Sequence, residues 1–134
     1  MIDPAAKRRS PGRDNQTTLA DVKTLSAQEL VSDHGGAGRI VFRRVFEGLD
    51  LGVKAIQFVD FTEVLPGSSI GCHCHSDTLE IYFVVSGCPL VMVDSSWYRL
   101  RPGGISVVQP GGSHSLVNDT IDNVQILVIE VSAT

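Results

Sequence analysis

The sequence predicts an all-β protein with a single domain, built as a β-sandwich or a β-barrel. After residue 38 it contains nine short segments of apolar or alternating character, with turn-forming residues between them and no helical periodicity. Many short strands without intervening helices are typical of sandwiches and barrels. The chain has 134 residues, of which 43% are hydrophobic, enough to bury one core and not two.

Two regions precede these strands. Residues 1–18 contain four basic residues and almost no apolar pattern, so they are predicted to form a flexible basic N-terminal tail. Residues 19–134 form the predicted folded domain. Within it, Ser26-Ala-Gln-Glu29 has the spacing of a helix capping box, which predicts a short helical turn that ends at Gly35-Gly36.

The strands follow from the apolar segments and from the turns that separate them. Pro66-Gly67, Ser86-Gly87, Pro102-Gly103 and Asn118-Asp119 are among the turn signals. Along each strand, every second side chain points to the same face of the sheet. The predicted strands span residues 39–46, 53–65, 69–75, 79–85, 90–93, 98–101, 105–109, 114–118 and 124–131.

Four residues with metal-ligating side chains lie in two pairs of strands that glycines delimit. His73 and His75 are two apart on one strand, so their side chains point to the same face. Residues 76–78 supply a turn, which lets Glu80 on the next strand face back across the hairpin. His114 follows a second glycine turn and a second apolar strand. Imidazole nitrogens and a carboxylate oxygen are common ligands of transition metals, so the four residues predict one metal site.

These two segments resemble the two motifs of the cupin family. The first motif runs glycine, five residues, His-x-His, four residues, glutamate, six residues and glycine. The residues that match it are Gly67, His73, His75, Glu80 and Gly87. The residues that match the second motif are Gly103, Gly111, His114 and Asn118. Gln109 departs from that motif, because the family usually has proline at this position.

The resemblance extends over most of the chain, from about Gly35 onward, and it implies a jelly-roll β-barrel. It also implies one divalent transition metal ion, and three imidazoles with one carboxylate suit Fe, Mn, Zn or Ni. Such a ligand set leaves two positions on an octahedral ion, which a small-molecule substrate with two adjacent oxygens could occupy. Iron would predict a dioxygenase, whereas zinc, manganese or nickel would predict an isomerase, a cyclase or a lyase.

Residues that share strand parity with the ligands are the next candidates. Glu80 itself is a candidate catalytic residue, either as a ligand or as a proton acceptor. Tyr82 shares parity with Glu80, so it is expected either to fill the core or to line the pocket as the second catalytic candidate. Leu116 and Asn118 share parity with His114; we expect Leu116 in the core and Asn118 to fix its own turn.

Two functional classes stay open at this point. A metal-dependent enzyme is favoured, because four convergent polar ligands that serve no chemistry would only cost stability. The alternative is a non-catalytic cupin that binds a sugar or another small molecule. The resemblance further implies a homodimer that pairs through sheet edges.

Charge and hydropathy exclude other classes of function. The net charge is −4 and no basic stripe is present, so nucleic acid is not an expected partner. No run approaches the roughly 18 apolar residues of a membrane span. Met1-Ile-Asp-Pro lacks the order of a signal peptide, and a cytoplasmic location is therefore expected.

Several polar residues outside the four ligands have simpler interpretations. Cys72 and Cys74 alternate with the histidines, so they are expected on the opposite face of the strand, in buried apolar packing or a dimer contact, and not as ligands. His34 is interpreted as a residue of a surface loop. Gln57 is a pocket candidate, because it is an amide in an apolar run and a buried amide needs a partner.

Overall fold

A computed structural model describes residues 21–48 and 52–133, so the predicted tail at 1–18 lies outside the described residues. Two short 3-10 turns span Val22–Thr24 and Asp33–Gly35. The strands are β1 Gln28–Val31, β2 Arg39–Glu47, β3 Ile56–Val64, β4 Ser69–Cys74, β5 Thr78–Ser86, β6 Leu90–Val93, β7 Ser96–Arg99, β8 Ile105–Val108, β9 Ser113–Val117 and β10 Val124–Ser132. No helix within the described residues is long and apolar enough to span a membrane.

The strands form two antiparallel sheets that enclose one core. The larger sheet has six strands in the order β1-β2-β3-β10-β5-β8, and the smaller has four in the order β4-β9-β6-β7. The core joins Val84 and Ile126 of the larger sheet to Ile70, Val91 and Leu116 of the smaller one. The all-β prediction is therefore confirmed, and the expected core position of Leu116 is confirmed as well.

The predicted helical turn is wrong in its first part, at Ser26–Glu29, and confirmed at its end, where the 3-10 turn Asp33–Gly35 has Gly36 as its C-cap. Residues Gln28–Val31 form strand β1, which pairs antiparallel with β2 from Gln28 opposite Phe42 to Val31 opposite Arg39. The backbone hydrogen bonds offered by the edge of β2 outweigh a weak local helix signal. Helical structure occurs on either side of β1 instead, as the two 3-10 turns, and the first of these is capped by the Asp21 side chain.

The turn after β9 is fixed by Asn118, as expected from the sequence. Its Nδ2 donates to the carbonyl oxygens of Val64 at 2.9 Å and Asp122 at 2.7 Å. Its Oδ1 accepts a hydrogen bond from the backbone N–H of Thr120 at 3.0 Å. These bonds tie the end of β9 to the end of β3, so the strand that carries His114 is anchored to both sheets.

Candidate metal centre

Three strands deliver the four predicted ligands to one point. His73 lies on β4, Glu80 on β5 and His114 on β9, and His75 follows the end of β4. Residue His73 pairs directly with His114 in the β4–β9 register. One ligand atom from each of the four side chains lies within 4.8 Å of all the others. Three of the four side chains are buried, with His73 partly exposed.

The distances between these atoms match those between donors around one ion. Nε2 of His114 lies 2.9 Å from Nε2 of His73, 3.1 Å from Nε2 of His75 and 3.0 Å from Oε1 of Glu80. Ligand bonds of about 2.1 Å place neighbouring donors roughly 3.0 Å apart around an octahedral ion and roughly 3.4 Å apart around a tetrahedral ion. The ligand set therefore fits a divalent transition metal in its spacing as well as in its chemistry.

Hydrogen bonds on the far side of two imidazoles select the tautomer that a metal requires. Nδ1 of His73 lies 2.8 Å from the carbonyl oxygen of Gly71, which can only accept, so Nδ1 carries the proton. Nδ1 of His75 lies 3.0 Å from Oγ1 of Thr78, whose own hydroxyl proton goes to Oε1 of Glu130 at 3.1 Å, so Nδ1 donates to Thr78 and carries the proton. In both neutral rings the lone pair is then on Nε2 and points into the centre. These lone pairs face each other and the Glu80 carboxylate, and they repel both. A metal ion bound between them removes the repulsion.

Burial and neighbouring charges shift the pKa values of three of the four residues at the centre. Burial by itself raises the pKa of the Glu80 carboxyl. In the metal-free protein, histidines that carry a proton on Nε2 lower it to about 2 through hydrogen bonds and positive charge. Burial is also the main reason that the pKa of His114 is lowered, which favours its neutral, ligating form. At His73 burial lowers the pKa, but Glu80 and the Gly71 carbonyl raise it above its usual value. In the metal-free protein a proton competes for that nitrogen.

Tyr82 lies beside the ligands on β5. Its ring is stacked on that of His114, with centroids 4.5 Å apart, and its hydroxyl oxygen is 3.4 Å from Nε2 of His114. Only 2% of the residue is exposed. Burial, aided by the charge of Glu80, raises the pKa of Tyr82 well above its usual value, so its hydroxyl stays protonated.

The register of the larger sheet explains which residues surround the centre. Glu130 on β10 lies opposite Glu80 on β5, so both carboxylates face inward. Thr78 also donates to Oε1 of Glu130, at 3.1 Å. The sequence interpretation did not include Glu130, although it is the acidic residue in the otherwise apolar run of β10 and such a residue needs a partner.

A cavity of about 210 Å³ opens beside the metal ligands. Glu80, His73 and Tyr82 contribute to its lining, together with the ion pair between Arg44 and Asp60. In this pair, Nε of Arg44 donates to Oδ1 of Asp60 at 2.5 Å and Nη2 donates to Oδ2 at 3.1 Å. Neither member of this pair was among the residues that the sequence singled out.

The remaining wall of the cavity includes His34, which is not an ordinary surface residue. It is exposed to solvent, but its ring is stacked on that of His73, with centroids 3.8 Å apart and 14° between the ring planes. His34 lies in the turn Asp33–Gly35 with a positive φ of 49°. The turn rests on β4 without intervening side chains: a Cβ added to Gly71 would lie 2.1 Å from the His34 carbonyl oxygen.

Two further expectations need correction. Gln57 is exposed and hydrogen-bonded to the Ser132 side chain, so it is not part of the pocket beside the metal ligands. Cys72 and Cys74 lie on the face of β4 opposite the histidines, as expected, but they are exposed, so the expected packing within the chain is wrong and the dimer contact stays a prediction. Because β4 is an edge strand of the smaller sheet and no described element covers its outer face, these thiols reach solvent.

The fold and the site define a two-sheet β-barrel protein with a three-histidine, one-glutamate metal-binding group. Residues 60–130, more than half of the chain, match the model of the Cupin domain family. The chain belongs to the cupin family, as its two motifs indicated.

Similar proteins are known from bacteria. The chain is 23% identical over 105 residues to the oxalate-binding protein of Thermotoga maritima, which covers 78% of this chain and 86% of the relative. A crystal structure of a predicted oxalate decarboxylase from Thermotoga maritima matches with a TM-score of 0.82 at 19% identity, over 86% of this chain and 99% of that chain. The structure of KdgF from Halomonas sp. matches with a TM-score of 0.72 at 15% identity, over 87% and 94%. At these identities the structural matches show the shared fold.

Proposed function

We propose that this protein is a metal-dependent enzyme that acts on a small oxygenated metabolite chelated at the His73, His75, Glu80 and His114 centre. The observation that carries the proposal is the convergence of three imidazole nitrogens and one carboxylate oxygen beside a cavity of about 210 Å³. The bound metal would supply Lewis-acid chemistry if it is zinc, manganese or nickel, and oxygen chemistry if it is iron. The corresponding reactions are isomerisation, cyclisation or elimination in the first case and dioxygenation in the second.

The residues at and around the centre have different proposed roles. Glu80, with its pKa lowered to about 2, is ionised at neutral pH and is a weak proton acceptor, so its properties favour the role of ligand. Tyr82 keeps its proton and lines the cavity, and we assign it the positioning of substrate oxygen by hydrogen-bond donation, since a hydroxyl with a raised pKa is a weak acid. Thr78, held in turn by Glu130, keeps His75 in the ligating tautomer.

Metal analysis of untagged protein, purified without added metal, tests this proposal. We expect close to one equivalent of a transition metal in the native protein and none in His73→Ala, measured by mass spectrometry. Iron leads to anaerobic substrate trials with oxygen uptake as the readout, and zinc, nickel or manganese leads to isomerase, cyclase and lyase assays. Turnover that survives removal of the metal, or a native protein without metal, would overturn the proposal.

A second function has one specific observation in its favour, because the curated relative is named an oxalate-binding protein. A non-catalytic cupin would bind its ligand at the same centre and release it unchanged. In that case metal removal lowers the melting temperature while no candidate substrate is consumed. Product analysis by mass spectrometry after prolonged incubation distinguishes this binding role from catalysis.

A further inference from the structure

The cavity beside the metal ligands has an unusual balance of charge. Three carboxylates line it, those of Asp33, Asp60 and Glu80, against the single guanidinium of Arg44. In the part of the chain that the structure describes, no other arginine and no lysine lines this cavity. An incoming anion therefore has one cation of the protein, besides the metal, with which it could pair.

That cation is already paired with two carboxylates. Arg44 donates through Nε and Nη2 to both oxygens of Asp60, and through Nη1 to Oε1 of Glu47. The side chain of Asp60 is only 9% exposed, so its charge has little access to water. A small dianion held at the metal would bring two negative charges into a cavity that already holds the carboxylates of Asp33, Asp60 and Glu80. Because Arg44 is paired within the protein, part of that added charge would stay unpaired.

The wall on the same side of the cavity is apolar and aromatic. The guanidinium carbon of Arg44 lies 4.6 Å from the ring centroid of Phe58 and 5.7 Å from that of Phe42. These rings are on β3 and β2, which are two and three strands away from β5 with Glu80. Further apolar lining comes from Ile40 on β2, from Val128 on β10 and, in the smaller sheet, from Ile70 on β4. Such a wall is suited to the apolar part of a ligand.

We infer that the ligand of this centre is a neutral or singly charged oxygen chelator that carries an apolar or aromatic group, and that a small dianion is a poor ligand. The inference rests on the proposed function and narrows its substrate class. It also implies that oxalate, which appears in the name of the Thermotoga maritima relative, is a poor ligand of this protein. The chelating oxygens meet the metal, and the apolar group lies against Phe42 and Phe58.

Three probes separate the contributions of chelation, apolar contact and charge. Benzohydroxamate and acetohydroxamate share one chelating group and differ by a phenyl against a methyl, whereas oxalate chelates through two carboxylates. Binding to the zinc-loaded full chain is measured by titration calorimetry, with metal content checked afterwards and His73→Ala as the control. We expect benzohydroxamate to bind at least about tenfold more tightly than acetohydroxamate, because burial of the phenyl group is favourable. Oxalate should bind most weakly.

Two variants test the residues behind this order. Asp60→Asn removes one carboxylate and releases Arg44, so it should strengthen oxalate binding by about tenfold and leave benzohydroxamate nearly unchanged. Asp33→Asn removes a second carboxylate from the other side of the cavity and should act in the same direction, which keeps the test valid if Asp60→Asn fails to fold. Phe58→Ala should reduce the preference for benzohydroxamate over acetohydroxamate.

The outcomes distinguish this inference from the proposed function. Oxalate that binds the native protein as tightly as benzohydroxamate, in a manner that depends on His73, overturns the inference and leaves a chelator-binding metal centre intact. If none of the three probes binds the zinc-loaded protein in a His73-dependent manner, the proposed function fails as well.

Discussion

The two ends of the barrel interior are built from the same strands but serve different purposes. At one end β5, β9 and β10 contribute Val84, Leu116 and Ile126, each with no exposed surface. Further along the same strands the inward positions hold Glu80 and His114, both buried, and the partly buried Glu130. Each polar residue gives up about 1.5–3 kcal/mol of hydrophobic burial that an aliphatic side chain would contribute. The alternation of side chains along each strand decides which residues point into the barrel. Whether those residues are apolar or polar then decides where the core ends and the site begins.

The largest effect on metal binding and stability should follow from a substitution at the polar end of the barrel interior. His114→Ala removes the ligand nearest to the other three, so we expect loss of bound metal and of the stabilisation linked to it. That stabilisation is about 4 kcal/mol at a metal concentration of 1,000 times the dissociation constant. Urea unfolding with and without added metal measures it, and a variant that is still stabilised by metal would contradict the assignment of His114 as a ligand.

Breaking the apolar end should have an effect that does not depend on metal. Leu116→Ala leaves a cavity between the sheets and should lower the free energy of unfolding by about 2–5 kcal/mol. The loss should be equal in metal-free and metal-loaded protein, because the ligands on β9 keep their register. Metal content in this variant serves as the control, and a matching loss of metal would show that the two ends are coupled.

The third effect concerns pH in the metal-free protein. The folded pKa of Glu80 is lowered to about 2 from an ordinary value of 4.5, so ionised Glu80 stabilises the fold at and above pH 4.5. This stabilisation, on the order of 3 kcal/mol, should be lost as the pH falls from 4.5 towards 2. The difference in unfolding free energy between the native protein and Glu80→Gln, measured across this interval, should shrink with falling pH. A constant difference would contradict the pKa assignment.

A smaller effect should follow at the residue that orients His75. Glu130→Gln keeps the size of the side chain but weakens the hydrogen bond that orients the Thr78 hydroxyl toward His75, so metal affinity should fall by about tenfold. Competition with a chromophoric chelator measures the affinity. Glu63→Gln on β3, a change at a carboxylate paired with Arg43 and outside the cavity lining, is the matched control and should leave metal affinity unchanged.

The smallest effect is expected from a substitution on the outer face of β4, the strand that carries His73. Cys72→Ser alters an exposed side chain next to His73 and should change stability by less than about 0.5 kcal/mol, with metal content unchanged. Thermal unfolding and metal analysis test this together. A loss of metal would show that the outward thiol takes part in the site, contrary to its position on the opposite face of β4.

The convergence of the four candidate ligands could be predicted from the sequence, because their spacing along the strands determines where their side chains point. A period of two and a turn determine that His73, His75 and Glu80 face the same space, and the second motif adds His114. The strands were predictable for the same reason, since their apolar runs are bounded by glycine and proline turns. Strand β1 was not predictable, because its stability comes from pairing with β2 and not from its own residues.

The missed residues depend on contacts between distant segments. Arg44 and Asp60 are adjacent only through the register of β2 and β3, and Glu130 meets His75 only because β10 lies beside β5. Each of them is a charged residue on an inward row, which is the signal that could have revealed it. His34 carried no such signal, because its stacking on His73 follows from backbone contact between two glycine-containing segments.

That backbone contact also bears on how fast a ligand can enter and leave. Side chains cannot be added at Gly36 or Gly71 without a clash, since a Cβ at Gly36 would lie 2.3 Å from the Ser69 carbonyl oxygen. The turn with His34 and the strand with His73 are therefore in direct backbone contact at the side of the cavity where His34 is exposed. We expect exchange to be governed by rotation of exposed side chains such as His34, on a nanosecond scale, and not by the microsecond-to-millisecond opening of a loop.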